Sequence, residues 1–328
     1  MKKLSRLLAV VIALAMLFAF AACGGDNSDS NDDSNSSDGT TYTIGIIQYM
    51  EHNALDQATE GFRDYLTEKL GDSVEFDYDN AQGEQTNCGT IVTKFVTDGV
   101  DLIMANATPA VQAAREATDT IPIIGTSVTD YVESGLIESD DAPGGNVTGA
   151  SDLNPVDVQV ELMQTLCPDV QTVGIVYCSA EANSEIQANE ATAAFEAAGY
   201  TVNTYTAADS NELQSVFTQA CSEVDAFYEP TDNLIANNME LVRNITVPAG
   251  KPVICGEESM CLAGGLATYS ISYYDLGYAA GEQAYEILVN GADPATTPIY
   301  HFETSDLTLV VNEEVAAELN IEIPEELQ

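Results

Sequence analysis

The segment DLIMANATPAVQAAREATDTIPIIGTS, residues 101–127, decides how the chain is read. Two short apolar runs, DLIMANA (101–107) and IPIIGTS (121–127), flank PAVQAAREATD, a stretch of helical composition and period. Strand, helix and strand in that order form a βαβ unit, whose strands lie parallel and are buried on both faces. The same alternation runs upstream. TIGIIQY (43–49) and VEFDYDNA (74–81) predict strands, and ALDQATEGFRDYLTEKLG and GEQTNCGTIVTKFVTDG predict helices. Residues 43–127 therefore predict a parallel sheet with helices on both sides.

After PGGNVTGASDLNP the rhythm restarts with a helix from about Val156 to Leu166. TVGIVYC (172–178), TVNTYTA (201–207), DAFYEP (225–230) and PVICGE (252–257) predict strands, and EIQANEATAAFEAAG and ELQSVFTQACSE predict helices between them. ATYSISYYDLGYAAGEQAYEILVNG supplies one more strand and helix, and PIYHFE with LTLVVN supplies the last strands. The predicted class is α/β, with two doubly wound parallel-sheet lobes. The extra strand and helix imply that the chain returns to the first lobe, and several crossovers between lobes leave a cleft. Parallel sheets bind ligands beyond the carboxyl ends of their strands.

The N-terminus predicts an address. MKKLSR is basic, LLAVVIALAMLFAF is apolar but too short to span a bilayer, and FAAC ends on Cys23. Residues 1–22 read as a signal peptide. Cys23 falls where a bacterial lipobox places its lipid-modified cysteine, although Phe20 stands where that pattern has an aliphatic residue. Residues 23–41 contain almost no apolar side chain beyond Cys23 and predict a disordered tether between lipid and body.

Composition excludes several functions. A formal net charge of −44 rules out charge-driven binding to nucleic acid or anionic lipid. The six cysteines after Cys23 form no CxxC pair and only two histidines exist, so no metal site or cofactor is expected. Most of these cysteines read as buried free thiols. GxSxG, HExxH and a Walker A loop are absent, and GGNVTG (144–149) lacks dinucleotide-binding spacing, so no catalytic residue is assigned.

The strand ends carry hydroxyl, amide and carboxylate side chains. Gln48 follows the first strand, Thr108 the third, and Ser127 and Thr129 the fourth. Asn183 and Ser184 follow the first strand of the second lobe, Thr231, Asp232 and Asn233 its third, and Glu257 with Glu258 its fourth. Hydroxyls and backbone N–H groups in one lobe with a carboxylate in the other would read a small zwitterion and favour closure over it. Capping is the structural alternative for Asp232, and Thr108 is placed to cap a helix beginning at Pro109. Tyr49, Tyr177 and Tyr228 can stack on an aromatic ligand or pack the core.

Several motifs in fixed order resemble one family. IGIIQYMEHNALDQATEGF, NATPAVQAA, PIIGTSVTDYVESGL, PGGNVTGASDLNPVDVQVELM, PTDN, ICGEES and YYDLGYAAGEQAYEIL are similar to the substrate-binding lipoproteins of ABC importers, of the tryptophan- and tyrosine-binding kind. Tyr131 departs from them, where Pro often follows VTD. The resemblance implies a type I periplasmic-binding-protein fold with three crossovers, near 151–154, 268–272 and 301–304. The lobes would then comprise 42–151 with 269–301, and 152–268 with 302–328. It also implies a monomer tethered at the outer membrane face, which captures an aromatic amino acid and delivers it to a permease and its ATPase. By a more distant similarity to branched-chain amino-acid binding proteins, Thr129, with Ser127 nearby, would hold the ligand carboxylate. Glu257 would hold the amine, and Glu258 would stay mostly solvated. The alternatives are a nucleoside, short peptide or sugar ligand on the same fold, or a surface adhesin or sensor subunit without a transport role.

Overall fold

The computed structural model describes residues 41–327. Residues 1–40, on which the expected signal peptide, the expected lipidation at Cys23 and nearly all of the expected tether fall, lie outside the described residues. Among the described residues no helix is long and apolar enough to cross a membrane.

The first sheet contains β1 (Tyr42–Gln48), β2 (Val74–Asn80), β3 (Leu102–Asn106), β4 (Ile123–Val128) and β5 (Val147–Ser151), all parallel, in the order β2-β1-β3-β4-β5. β3, β4 and β5 are buried along their whole length, as a sheet covered on both faces requires. One face packs on α2 (Gln85–Asp98) and α3 (Thr108–Ala117), through Val92, Phe95, Val111 and Ile103. The other packs on α1 (Asn53–Leu70) through Phe62, Leu66, Ile44 and Met104.

The second sheet runs β11-β10-β9-β8-β6-β7, with β6 (Thr172–Cys178), β7 (Thr201–Ala207), β8 (Ala226–Glu229), β9 (Val253–Cys255), β10 (Ala267–Ser270) and β11 (Thr308–Val311). Only the β10–β11 pair is antiparallel. Its helices are α4 (Val156–Leu166), α5 (Ala182–Ala197), α6 (Ser210–Ala220), α7 (Asn233–Ala236), α8 (Met239–Thr246) and α9 (Glu258–Ala263). Here too two separate cores cover the two faces.

After β10 the chain leaves the second sheet, and α10 (Tyr273–Asn290) lies against α1 on the first. The two helices approach very closely. A Cβ on Gly277 would sit 1.9 Å from the Ala58 carbonyl oxygen, and one on Gly61 would sit 2.0 Å from that of Tyr274. The chain then returns to the second sheet as β11, followed by α11 (Glu313–Leu319). The passages between sheets therefore fall between Ser151 and Val156, between Ser270 and Tyr273, and between Tyr300 and Thr308. Two sheets so joined have the type I periplasmic-binding-protein architecture.

Three local expectations change. β5 was not expected as a strand, because it is short and glycine-interrupted; Gly149 has φ +150° and its backbone lies against the Gly125 carbonyl. PIYHFE forms no strand, only a single parallel bridge from Tyr300 to Ala150. Thr108 does not cap from outside the helix: α3 starts at Thr108 itself, Ala107 occupies the cap position at φ +86°, and the Thr108 hydroxyl makes no cap bond. All six described cysteines are free thiols, and Cys221 is the one that is not fully buried.

Candidate functional site

The carboxyl ends of both sheets meet around a narrow, partly open cavity of about 20 Å³. The first lobe contributes His52, Ala54 and Leu55 from the start of α1, and Ser127 and Thr129 from the end of β4. Asp152 and Tyr273 come from two of the passages between lobes. The second lobe contributes Asn183 of α5, Thr231, Asp232, Asn233 and Ala236 around α7, and Glu257 and Met260 at α9.

Direct hydrogen bonds link the lobes and brace the passages between them around this cavity. Gln187 Nε2 on α5 donates to Thr129 Oγ1 at 2.6 Å. His52 Nε2 and Asn233 Oδ1 lie 3.1 Å apart. Asn154 Nδ2 donates to the Gly256 carbonyl at 2.7 Å, and the Tyr273 hydroxyl donates to Asp152 Oδ2 at 2.8 Å.

Ser127 is the hydroxyl best placed for a ligand. β4 and β5 slip register between Gly125 and Val128, and within that bulge Ser127 adopts φ +55°, a left-handed conformation that costs a non-glycine residue energy. The bulge turns Ser127 to the cavity wall, and its Oγ is buried with no partner among the protein atoms. Tyr131 supports this corner. Its ring is buried and its hydroxyl donates to the Ala150 carbonyl at 3.0 Å, tying the loop after β4 to β5. Thr129 also lines the cavity, but its hydroxyl oxygen accepts from Gln187.

The carboxylates divide by how many bonds they already make. Glu257 caps α9: Oε1 accepts from the Ser259 hydroxyl at 2.7 Å and the Met260 amide at 2.8 Å, and Oε2 from the Ser259 amide at 2.5 Å. Asp232 caps α7 through Ile235 N at 2.9 Å and also accepts from Cys178 N at 2.6 Å. Asp152 Oδ2 accepts from the Tyr273 hydroxyl, and its Oδ1 is buried without a protein partner. Burial, opposed by hydrogen bonding from Tyr273, from its own backbone amide and from the Thr129 hydroxyl, moves the Asp152 pKa up to about 6. Burial likewise raises Glu257 and Asp232, and burial together with the Asp232 charge raises Glu181. Glu258 is half-buried rather than mostly solvated, and its amide donates to Ser270 Oγ.

Of the residues singled out from sequence, Ser127, Thr129, Asn183, Thr231, Asp232, Asn233 and Glu257 line the cavity. Gln48, Thr108 and Ser184 do not. Gln48 is consumed by Met50 O, Asp56 Oδ1 and the Thr59 hydroxyl, and so braces the β1–α1 turn. Thr108 is buried in α3, and Ser184 is buried where its hydroxyl supports Asp232. Tyr228 packs on Phe195 in the core with ring centroids 5.4 Å apart, Tyr177 packs on the same core, and Tyr49 donates to the Gly83 carbonyl. Sequence reasoning did not single out Asp152, His52, Gln187 or Tyr273. Asp152 carried a signal, since it follows directly on VTGAS, but without β5 that position reads as a linker.

Comparison with known proteins agrees with this architecture. The sequence profile of the family described as ABC transporter substrate binding protein matches residues 43–328. A tyrosine-binding protein of Clostridioides difficile is 36% identical over 324 residues, covering 98% of this chain and 93% of that protein. A Streptococcus pneumoniae ABC domain in complex with L-Trp is 38% identical, with 88% and 97% of the chains covered and a TM-score of 0.85. The ligand-free, open structure of a Clostridium difficile substrate-binding protein with adhesive properties is 36% identical, with 87% and 97% covered, but its TM-score is 0.68. At nearly equal identity the chain superposes better on the complex, as expected of lobes bonded together across the cavity. The chain belongs to the ABC transporter substrate-binding protein family.

Proposed function

We propose that this protein captures an aromatic L-amino acid between its lobes and presents it to a membrane permease driven by an ATPase. The observation that carries the reading is the pairing, in one interlobe cavity, of an unpartnered hydroxyl on Ser127 with an unpartnered carboxylate oxygen on Asp152. A hydroxyl donor suits a ligand carboxylate, and a buried anion suits an ammonium. Charge-assisted bonds of this kind contribute ~1.5–3 kcal/mol each. The ligand ammonium falls to Asp152, with Glu257 beside it and its oxygens largely occupied by the α9 cap. Ala54, Leu55, Ala236 and Met260 provide apolar wall for a side chain, and the relatives named for tyrosine and for L-Trp support an aromatic one.

Binding groups from both lobes favours the closed arrangement, so capture and closure are one event. Cys23 would carry the lipid and residues 24–41 the reach between membrane and body, placing a monomer at the outer face of the cell membrane. A ligand at ~100 times its dissociation constant stabilises by ~2.7 kcal/mol. Thermal unfolding of the purified protein against the twenty amino acids, nucleosides and common sugars therefore tests the reading. A shift with Tyr, Trp or Phe supports it; a shift with a nucleoside or sugar and none with any amino acid overturns it. The adhesive properties of the Clostridium difficile relative favour one second reading, a surface adhesin on the same tether, which attachment of protein-coated beads to host cells would test.

A further inference from the structure

We infer that His52 selects among aromatic ligands, favouring those whose ring system carries an N–H or O–H donor over those that carry none. The inference rests on the aromatic amino-acid reading above and names the residue that would set its specificity.

A chain of hydrogen bonds fixes the imidazole. Asn233 Nδ2 donates to Glu181 Oε2 at 2.5 Å, which turns Asn233 Oδ1 toward His52. A carbonyl oxygen only accepts, so His52 Nε2, 3.1 Å away, must carry the proton. Burial lowers the His52 pKa and keeps the ring neutral. A neutral ring protonated on Nε2 leaves Nδ1 as a bare acceptor. That atom is shut off from solvent and has no partner among the protein atoms, while the residue lines the cavity. Glu181 serves the relay in either protonation state, because each leaves an accepting oxygen.

His52 stands at the apolar part of the wall. Its neighbours along α1 are Ala54 and Leu55, and Ala236 lies one helical turn from Asn233 on α7. The groups assigned to the amino-acid head, Ser127, Asp152 and Glu257, come from β4, from the passage after β5 and from the start of α9. This placement assigns Nδ1 to the part of the ligand that differs between amino acids. A phenol O–H or indole N–H gives it a partner, and a plain phenyl ring leaves it buried and unpaired. Sites built to accept a donor discriminate strongly against the analogue that lacks it.

Calorimetry of the purified full-length protein tests this with five ligands: L-Tyr, L-Trp, L-Phe, 4-fluoro-L-phenylalanine, which fills the phenol position without donating, and the benzothiophene analogue of Trp, which replaces N–H by sulfur. The expected result is that L-Tyr or L-Trp binds at least tenfold more tightly than its donor-free counterpart, equivalent to about 1.4 kcal/mol. In His52→Leu the ratio falls below about threefold, chiefly because the donor ligand loses affinity. Wild-type protein that binds Tyr and Trp within threefold of their donor-free analogues overturns the inference and leaves the aromatic reading standing. So does a His52→Leu variant that keeps the full ratio. Binding of none of the five overturns both. The wild-type panel decides alone if His52→Leu does not fold.

Discussion

Gln187 of the second lobe holds Thr129 of the first, with Nε2 2.6 Å from Oγ1, while its own Oε1 accepts from the Thr231 amide at 3.0 Å. One buried amide thus latches the loop after β4 to the loop after β8. Gln187→Ala removes the latch and leaves Thr129 without its donor. A buried bond of this kind contributes ~0.5–1.5 kcal/mol net. Ligand affinity is expected to fall about three- to tenfold by calorimetry, and X-ray scattering should show a larger radius of gyration at equal ligand saturation. A variant with unchanged affinity and radius would show that the latch does not govern closure.

Ser127 separates stability from binding. Its φ of +55° suits glycine better than serine, so Ser127→Gly should leave the melting temperature equal or slightly higher. The same change deletes the unpartnered hydroxyl, and amino-acid affinity should drop by tenfold or more. A loss of stability without loss of affinity would reverse the role given to this bulge.

The buried Asp152 carboxyl makes a pH signature. Its pKa rises from 3.8 to about 6 on folding, so between those values the folded chain binds more protons than the unfolded one. Stability therefore falls as pH rises from about 4 to about 6, and stays reduced above. A shift of this size corresponds to ~3 kcal/mol. Without ligand, Asp152→Asn should be more stable than wild type at pH 7, with the gap closing toward pH 4 in urea titrations. Glu181, Asp232 and Glu257 shift in the same direction but are present in both proteins. A gap that does not depend on pH would mean that Asp152 is not raised.

Asp152 and Glu257 are distinguished by ligand binding. Asp152 has an oxygen to spare, whereas three bonds from Ser259 and Met260 already occupy Glu257. Asp152→Asn should therefore cost amino-acid affinity more than Glu257→Gln does. Glu257→Gln should mainly cost stability, by ~1 kcal/mol, as for other lost helix caps. The reverse order would return the amine to Glu257.

Gly277→Ala probes the α1–α10 contact. A Cβ placed 1.9 Å from the Ala58 carbonyl must push two helices apart, at an expected cost of about 3 kcal/mol or more in denaturant unfolding. A loss below about 1 kcal/mol would mean that the helices re-pack freely.

The β–α rhythm of this chain is legible because parallel strands buried on both faces read as continuous apolar runs, as LIMAN in β3 and IIGTSV in β4 do. Strand ends then point to Ser127, Asp232 and Glu257 without further information. What the sequence does not carry is how many bonds each group already makes. Gln48 and Ser184 look like ligand contacts until their partners are visible, and Glu257 looks free until α9 is seen to start on it. Asp152 was hidden for a different reason. β5 has five residues and a glycine held against its neighbour's backbone, so its end, and the carboxylate just beyond it, could not be located.

The late position of α10 governs how the chain can mature. The first lobe is built from residues 42–151, yet the face formed by Ile44, Phe62 and Met104 is sealed by Leu276, Ala280 and Ala284. The second lobe in turn takes its edge strand from 308–311 and the core residue Val315 from α11. A chain appearing N-terminus first must hold an unsealed apolar face until residue 290 has emerged. Each lobe is therefore completed only by late-emerging residues, through contacts more than 200 residues apart in sequence, such as Tyr278 with Glu68.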